Sequence, residues 1–212
     1  MNIVTDYDDL SQRSDEIDTK KENALLREIV LALKDKIAED NLPGLAAPQL
    51  GYKKRVLVVN FKGKLVSYVN PVITGIKGLT VSNEQCPSFP GKKFIRPRNN
   101  EVAVMFQDPM GKTKSQKLVG LAAYVFQELV DHLDGLLLPD VGFEVDDDFY
   151  AAPEDERWEV IEAYLKSLDI NLNHVERQID NDKDAKQMDD AVKFMESVRS
   201  GETKIEIETV KR

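Results

Sequence analysis

The chain has 212 residues, a length that allows one domain with an appendage and is ample for a hydrophobic core. Hydrophobic residues make up 42% of it and charged residues 32%, the usual balance of a soluble globular protein. The formal net charge is −9, and because nucleic acids and anionic membranes both present phosphate, this acidity argues against either partner. The charge is unevenly placed: residues 1–145 carry 19 acidic and 19 basic side chains, whereas residues 146–212 carry 19 and 10.

Cysteine usage and the first residues predict a cytoplasmic location. A single cysteine, Cys86, cannot form an internal disulfide, so no oxidising compartment is implied. Residues Met1–Thr19 are polar and acidic and lack the basic start and apolar stretch of a signal peptide. No run approaches the roughly 18 apolar residues of a membrane span.

The N-terminal part predicts a lead-in followed by one amphipathic helix. Residues 1–19 are acidic and offer few apolar anchors, so we expect this segment to be loosely held. Thr19 and Glu22 have the spacing of a capping box, and the apolar residues that follow recur at helical period. These apolar residues are Leu26, Ile29, Val30, Leu33 and Ile37. A helix is therefore predicted over residues 20–39, ended by the N-L-P-G of 41–44.

The middle of the chain is predicted to be β-structure that leads into a buried helix. Four short segments are rich in Val and Phe and are separated by Gly, Pro and Asn. They are Val56–Asn60, Leu65–Val69, Glu101–Phe106 and Lys114–Val119. Asp108–Gly111 (D-P-M-G) predicts a hairpin turn between the last two. Leu121–Leu133 is apolar on almost all sides and is followed by Gly135 as a C-terminal stop, so we expect this helix at the domain centre.

From Asp146 onwards the pattern predicts an acidic, mainly helical C-terminal extension over residues 146–212. Three apolar stripes recur at helical spacing, and period-two alternation over 203–210 predicts a final strand. The stripes are Trp158, Ile161, Leu165 and Leu168; Leu172, Val175 and Ile179; and Met188, Ala191, Val192, Met195 and Val198. Two interpretations stay open: the stripes cover the domain, or they form a homodimer contact.

Three stretches combine side chains that carry chemistry. They are Gly44–Gly51 (G-L-A-A-P-Q-L-G), Glu84–Gly91 (E-Q-C-P-S-F-P-G) and Gln127–Gly135 (Q-E-L-V-D-H-L-D-G). The first is a small-residue loop, and the second places the only thiol, Cys86, on a predicted short strand flanked by turn formers. The third puts Glu128 and His132 one turn apart on the same face of an apolar helix.

These side chains form a candidate metal site. A thiolate, a carboxylate and an imidazole are all ligands for zinc or ferrous iron, so Cys86, Glu128 and His132 are candidate ligands. The alternative is structural: a buried thiol that packs as a small hydrophobe, and a Glu128 carboxylate that hydrogen-bonds Gln49 or Cys86. The residues alone leave both interpretations open.

Together and in this order, the three stretches resemble the signature motifs of the peptide deformylases: G-x-G-L-A-A-x-Q, E-G-C-L-S and H-E-x-D-H-L-x-G. The resemblance covers about residues 20–145, taken as the peptide-deformylase-like domain. It implies an α+β fold in which antiparallel strands surround a central helix bearing the third motif. It also implies a divalent metal, Fe2+ or Zn2+, and removal of the formyl group from the N-terminal formyl-methionine of nascent peptides.

Residue-by-residue transfer of the third motif exposes departures from the family pattern. His132 matches the second metal-ligating histidine, whereas Glu128 stands where the first ligating histidine is expected. Leu129 stands where the family has its catalytic glutamate, which takes a proton from the metal-bound water and delivers it to the leaving amine. Leucine does neither, and losing a general acid–base typically costs about 10²–10⁴ in rate.

The other two motifs are partly retained. The resemblance implies that Gln49 stabilises the oxyanion together with the backbone N–H of the residue after the cysteine. That residue is Pro87, which has no N–H, and losing one such donor typically costs about 10²–10³ in kcat. The resemblance also implies substrate contacts at Pro43, Gly44 and Glu84.

Three functional hypotheses follow from these departures. The first is a family member that binds peptide N-termini but is impaired or inactive in deformylation. The second is an active deformylase, or related metal-dependent amidohydrolase, rewired around Glu128. The third is an interaction protein that acts through its acidic extension.

Overall fold

A computed structural model of the chain describes residues 1–61 and 63–176. Its helices pack on a largely antiparallel sheet, which confirms the α+β prediction. The helices are α1 (Tyr7–Leu10), α2 (Asn23–Asp40), α3 (Leu121–Asp134), α4 (Leu138–Val141), α5 (Asp147–Ala151) and α6 (Glu154–Ser167), with 3-10 turns at Ala47–Leu50 and Leu172–His174. The strands are β1 (Gly44–Ala46), β2 (Val56–Phe61), β3 (Lys64–Glu84), β4 (Lys93–Gln107), β5 (Thr113–Val119), β6 (Phe143–Val145) and β7 (Val175–Glu176).

Within the described residues, β1 to β5 are hydrogen-bonded in sequence order, each antiparallel to the next. The sheet is extended at the far end of its two long strands, where β6 pairs with β4 and β7 pairs with β3. Among the helices of residues 1–61 and 63–176, none is long and apolar enough to cross a membrane.

Alternation along β2 sends side chains to two cores. Val56 and Val58 face α2, whose Leu26, Ile29, Leu33 and Ile37 are all buried, as its helical pattern predicts. Leu57 and Val59 face the opposite side and pack against α3. The predicted central helix is therefore confirmed, and Gly135, at φ 73°, takes the left-handed conformation that ends it.

The two longest strands exceed the predicted segments. β3 runs for 21 residues where only Leu65–Val69 was predicted, and β4 for 15 where Glu101–Phe106 was predicted. Pro71 and Pro97 lie inside them, and proline normally argues against a strand interior. Register shifts between Val69 and Val72, and again before Gly75, accommodate the irregularity of β3.

The N-terminal segment is packed, so the expectation of a loosely held lead-in is wrong. Leu10 and Ile17 are 0% and 2% exposed. The Asn70 side chain makes two hydrogen bonds to the backbone of Ile17. Its Oδ1 accepts from the Ile17 N–H at 3.0 Å, and its Nδ2 donates to the Ile17 carbonyl at 2.9 Å. The capping box predicted for Thr19 and Glu22 also differs. Asp18 takes the place of Thr19, and its backbone N–H donates to Glu22 Oε2.

The described part of the C-terminal extension packs onto the sheet. Trp158, Ile161 and Leu165 of α6 are buried as the first stripe predicts, in a cluster with Val81 and Ile95 of the sheet, whereas Leu168 of that stripe is exposed. The second stripe does not continue the helix, because Leu172–His174 is a 3-10 turn and Val175 begins β7. Ile179, the 188–198 stripe and the predicted 203–210 strand lie outside the described residues.

Candidate active site

Helix α3 carries two of the three candidate metal ligands. Glu128 and His132 lie one turn apart, and Glu128 Oε1 is 3.0 Å from His132 Nε2. The His132 side chain is 2% exposed and that of Glu128 is 14% exposed. The apolar residues around the helix therefore bury both groups while leaving Glu128 at the edge of a groove.

The third candidate ligand follows the end of β3. Cys86 lies two residues beyond the end of β3, in a turn closed by the Phe89 N–H, which donates to the Cys86 carbonyl at 2.9 Å. The prediction that Cys86 lies on a short strand is therefore wrong. Its Sγ is 3.2 Å from His132 Nε2. The ligand atoms of Cys86, Glu128 and His132 all lie within 4.8 Å of one another. Residues 42 positions apart in sequence thus converge as predicted.

Gln49 joins this cluster from the other side. It is fully buried in the 3-10 turn, where its Oε1 accepts from the Ala46 N–H at 2.9 Å. That bond fixes the amide so that Nε2 points at Cys86 Sγ and Ser88 Oγ, each 3.4 Å away. A side-chain donor is therefore held beside the thiol.

The electrostatics of the cluster oppose charge on the thiol and support charge on the carboxylate. Burial, with the nearby charge of Glu128, raises the pKa of the Cys86 thiol. Burial alone would raise the pKa of Glu128 as well, but His132 and Arg98 outweigh it and lower that pKa. Without a cation, the thiol thus stays protonated beside an ionised carboxylate.

A network of buried ion pairs links the Cys86 turn to the ligand-bearing helix. Arg98 donates to both oxygens of Glu84 at 2.6 and 2.7 Å, and its Nη1 donates to Asp131 at 2.5 Å. Arg96 donates to the same Asp131 oxygen at 2.6 Å. Burial alone would lower the pKa of Arg98, but Glu84 and Asp131 raise it. Glu84 is therefore engaged by Arg98, and the substrate contact assigned to it stays a prediction.

These two arginines, Arg96 and Arg98, were not among the site residues predicted from the sequence. Arg96 and Arg98 precede the predicted start of their strand, so no face was assigned to them. Their spacing of two was the available signal, because in a strand it places both side chains on one face.

A groove of about 450 Å³ opens onto the candidate ligands. Pro43 and Gly44 form part of one wall, and Pro87 forms part of another. Leu129 lines it from α3 and is 2% exposed. A Cβ added at Gly44 would lie 2.7 Å from Leu129 Cδ1, so the leucine packs directly against the glycine. At the position implied for the catalytic glutamate, the chain thus has a leucine side chain in apolar contact with Gly44.

The residues present fit a divalent cation. Glu128 Oε1 is buried and has no hydrogen-bond partner, although it lies 3.0 Å from His132 Nε2. That nitrogen carries at most one proton, yet it faces both the carboxylate and Cys86 Sγ. A cation would satisfy all three atoms, and one sulfur, one oxygen and one nitrogen form an acceptable zinc ligand set with one position open.

Comparison with known proteins identifies the family. The family model described as polypeptide deformylase matches residues 1–144. The chain belongs to the peptide deformylase family. A peptide deformylase of Dictyoglomus turgidum is 35% identical over 134 residues, 63% of this chain and 84% of that protein. One from Pelotomaculum thermopropionicum is 37% identical over 121 residues, 55% of this chain and 78% of that protein.

Solved structures of peptide deformylases share the fold. The Thermotoga maritima structure has a TM-score of 0.61 and 30% identity, covering 66% of this chain and 95% of that one. An Acinetobacter baumannii peptide deformylase bound to Met-Ala-Ser has a TM-score of 0.61 and 25% identity, covering 66% and 96%. A deformylase of Vibrio parahaemolyticus bacteriophage VP16T in complex with actinonin has a TM-score of 0.60 and 29% identity, covering 65% and 99%.

Proposed function

We propose that this chain is a cytoplasmic peptide deformylase homologue that binds a divalent metal and peptide N-termini but deformylates poorly. One observation carries the impairment: Leu129, at the position of the family's catalytic glutamate, is buried against Gly44. Its side chain can neither accept a proton from water nor deliver one to a leaving amine.

Cys86, Glu128 and His132 would hold the metal. Fe2+ or Zn2+ there would polarise a carbonyl and acidify water. Around it, Gln49 presents a fixed amide donor where negative charge develops on a substrate oxygen. Pro87 adds no backbone donor beside it, because proline lacks an N–H. Substrate polarisation is therefore only partly retained, and proton transfer is lost.

The groove supports binding of a short peptide N-terminus. Its walls combine backbone at Pro43 and Gly44 with the apolar side chains of Leu121, Tyr124 and Val125, which suit a methionine side chain. The Acinetobacter relative binds the tripeptide Met-Ala-Ser. We propose formyl-methionyl or nascent peptide N-termini as the ligands of this chain.

A second candidate function has one specific observation in its favour. Oε1 of Glu128 is a buried carboxylate oxygen inside the site, 3.0 Å from His132 Nε2. In a rewired hydrolase, Glu128 would act as the proton acceptor in place of a ligand. The interaction role of residues 146–212 and a homodimer through them stay predictions.

A turnover assay with metal analysis separates these functions. Protein reconstituted anaerobically with Fe2+, and separately with Zn2+, is given formyl-Met-Ala-Ser beside the Thermotoga maritima deformylase. We expect stoichiometric metal that is lost in Cys86→Ala, and a rate at least about 10²-fold below the reference. Turnover within about a hundredfold of the reference would refute the impairment. Loss of that turnover in Glu128→Gln with metal retained would then favour the rewired hydrolase.

Peptide binding is tested by calorimetry with Met-Ala-Ser. Leu121 lines the groove, whereas Val119, two residues earlier, is 49% exposed and outside it. Leu121→Trp should fill the groove and abolish binding, while the matched Val119→Trp should leave the Kd unchanged. Equal binding by both variants would place the peptide elsewhere.

A further inference from the structure

The C-terminal half of β3 has an edge that borders the peptide groove. β4 pairs with one edge of this half from Leu79 to Glu84. On the opposite edge, β7 pairs with Leu79 and Thr80, and no other strand of residues 1–61 and 63–176 pairs with the edge beyond Thr80. Ser82, Asn83 and Glu84 line the groove, so a strand added along this edge would enter it.

Strand β7 already runs towards the groove. It is parallel to β3, with Val175 beside Leu79 and Glu176 beside Thr80. The chain therefore leaves Glu176 in the direction in which β3 approaches the groove. Because parallel strands rise by the same amount, about 3.3 Å per residue, the next four residues in this register would lie beside Val81–Glu84 without a turn.

The apolar pattern of the following residues suits the same register. Val175 packs in the same apolar cluster as Val81. Side chains of a strand alternate between its faces, so Ile179 would share the face of Val175 and lie beside Asn83. Tyr150 of α5 covers that face, because it belongs to the same cluster and its hydroxyl donates to Asn83 Oδ1 at 3.3 Å. Ile179 is the only apolar residue of 177–184, and this register would give it an apolar neighbour.

We propose that residues 177–180 extend β7 along this edge of β3 and occupy the part of the groove lined by Ser82 and Asn83. The occupant is a segment of this chain, and its covalent connection to Glu176 gives it a high effective concentration at the edge. A peptide that enters the groove beside Ser82 has to displace it. This competition rests on the proposed peptide binding, whereas the placement of the segment does not.

Disulfide trapping on the full chain tests the placement. All variants carry Cys86→Ala, so the introduced thiols are the only ones. Neighbouring strands lie about 4.8 Å apart, a Cα separation that a disulfide spans. Asn83→Cys with Ile179→Cys should therefore form an intramolecular disulfide under mild oxidation. It should form about tenfold or more faster than in Asn83→Cys with Gln178→Cys, because residue 178 would face the opposite way.

Two further pairs calibrate the trapping rate. Leu79→Cys with Val175→Cys joins neighbours in the described register and gives the rate of a formed pair. Asn83→Cys with Ser200→Cys reports chance encounters with the rest of the extension. Equal rates for all three Asn83 pairs, or disulfides that join two chains, would overturn the placement.

Hydrogen exchange tests the placement without a substitution in β3. An added strand would bond alternate N–H groups of residues 81–85, and proline in that strand would break the pairing. Gln178→Pro with Ile179→Pro should speed exchange of these amides about tenfold or more. Lys186→Pro with Gln187→Pro, beyond the segment, should leave it unchanged. Equal exchange in wild type and the first variant would overturn the placement.

Peptide binding then tests the competition by calorimetry with Met-Ala-Ser. The peptide should bind Gln178→Pro/Ile179→Pro about fivefold or more tightly than wild type, because the competing segment is weakened. An unchanged Kd despite faster exchange would show that the segment lies on the edge without blocking the groove, and would overturn the competition. If neither protein binds the peptide, the proposed function fails, whereas trapping and exchange still decide the placement.

Discussion

At the scale of single residues, Leu129, which stands at the position of the family's catalytic glutamate, is closely packed by its neighbours. Its Cδ1 approaches the Gly44 backbone so closely that a Cβ there would lie 2.7 Å away. Val125 packs on the same glycine, since the same Cβ would lie 3.2 Å from Val125 Cγ1. The apolar contact therefore links the first and third motifs at the position implied for the family's catalytic glutamate.

Restoring the family pattern tests the proposed impairment of catalysis and the contribution of each departure to it. Glu128→His with Leu129→Glu should give the Cys-His-His ligand set and a general base, yet deformylation should remain low. Adding Pro87→Leu returns a backbone N–H to the oxyanion position and should raise kcat by about 10²–10³. The measurement is turnover of formyl-Met-Ala-Ser by each variant, loaded with Fe2+ to the same stoichiometry.

Two variants control this series. Pro87→Leu alone should stay inactive, because Leu129 still offers no proton acceptor. Family-level activity from the double variant without the Pro87 change would show that the missing N–H does not limit the reaction.

At the scale of elements, the β4–β5 hairpin gains stability from the charge of Asp108. Its Oδ1 accepts from the Met110 and Lys112 N–H groups, each at 3.0 Å, and Lys114 pairs with Oδ2 at 2.9 Å. Burial alone would raise the pKa of Asp108, but Lys114 and these N–H groups lower it. A lowered folded-state pKa adds stability above the unfolded-state value near 3.8, and that stability is lost as the pH falls through the folded-state pKa.

Asp108→Asn should therefore destabilise the protein by about 1 kcal/mol at pH 7, since the amide keeps an acceptor but loses the charge. The difference from wild type should shrink as the pH falls from about 5 towards 2. Urea unfolding across this range measures it. In a Lys114→Met background the pH-7 difference should be smaller, and a difference independent of pH would contradict the assignment to charge.

Local patterns predicted the elements whose periodicity is strong and missed those that tertiary pairing imposes. Helices α2 and α3 and the Asp108–Gly111 turn follow from spacing and turn chemistry. Most of β3 lacks such a signal, because Asn70, Pro71 and two register shifts interrupt its alternation, and pairing with β4 holds it extended. The convergence of Cys86, Glu128 and His132 was implied by the resemblance of the three motifs to those of the peptide deformylases. The shared contact of Arg96 and Arg98 with Asp131 depends on how β4 lies across α3, which no local pattern encodes.

At the scale of the whole molecule, the described part of the acidic extension packs against the neutral body. Residues 146–176 carry ten acidic side chains and two basic ones. The acidic side chains of α5 and α6 are exposed apart from the half-buried Glu162, while Trp158 and Ile161 are buried against the sheet. Ile95 of β4 packs in the same cluster as Tyr164 of α6, whose hydroxyl donates to the Val141 carbonyl at 2.9 Å. The same helix therefore covers the strand that carries the charge network.

If the extension and the sheet form one cooperative unit, a cavity in α6 should destabilise the whole molecule. Ile161 is 0% exposed, whereas Leu168, two positions further along the same stripe, is 45% exposed. Ile161→Ala should cost about 2–4 kcal/mol and Leu168→Ala less than about 0.5 kcal/mol, because only the first removes buried methyl groups. Trp158 is the only tryptophan, so its fluorescence reports α6, while far-UV circular dichroism reports all of the secondary structure. In Ile161→Ala, both signals should shift together to one lower urea midpoint. A fluorescence transition that moves alone, with the main circular dichroism transition unchanged, would show that α6 unfolds as a separate appendage.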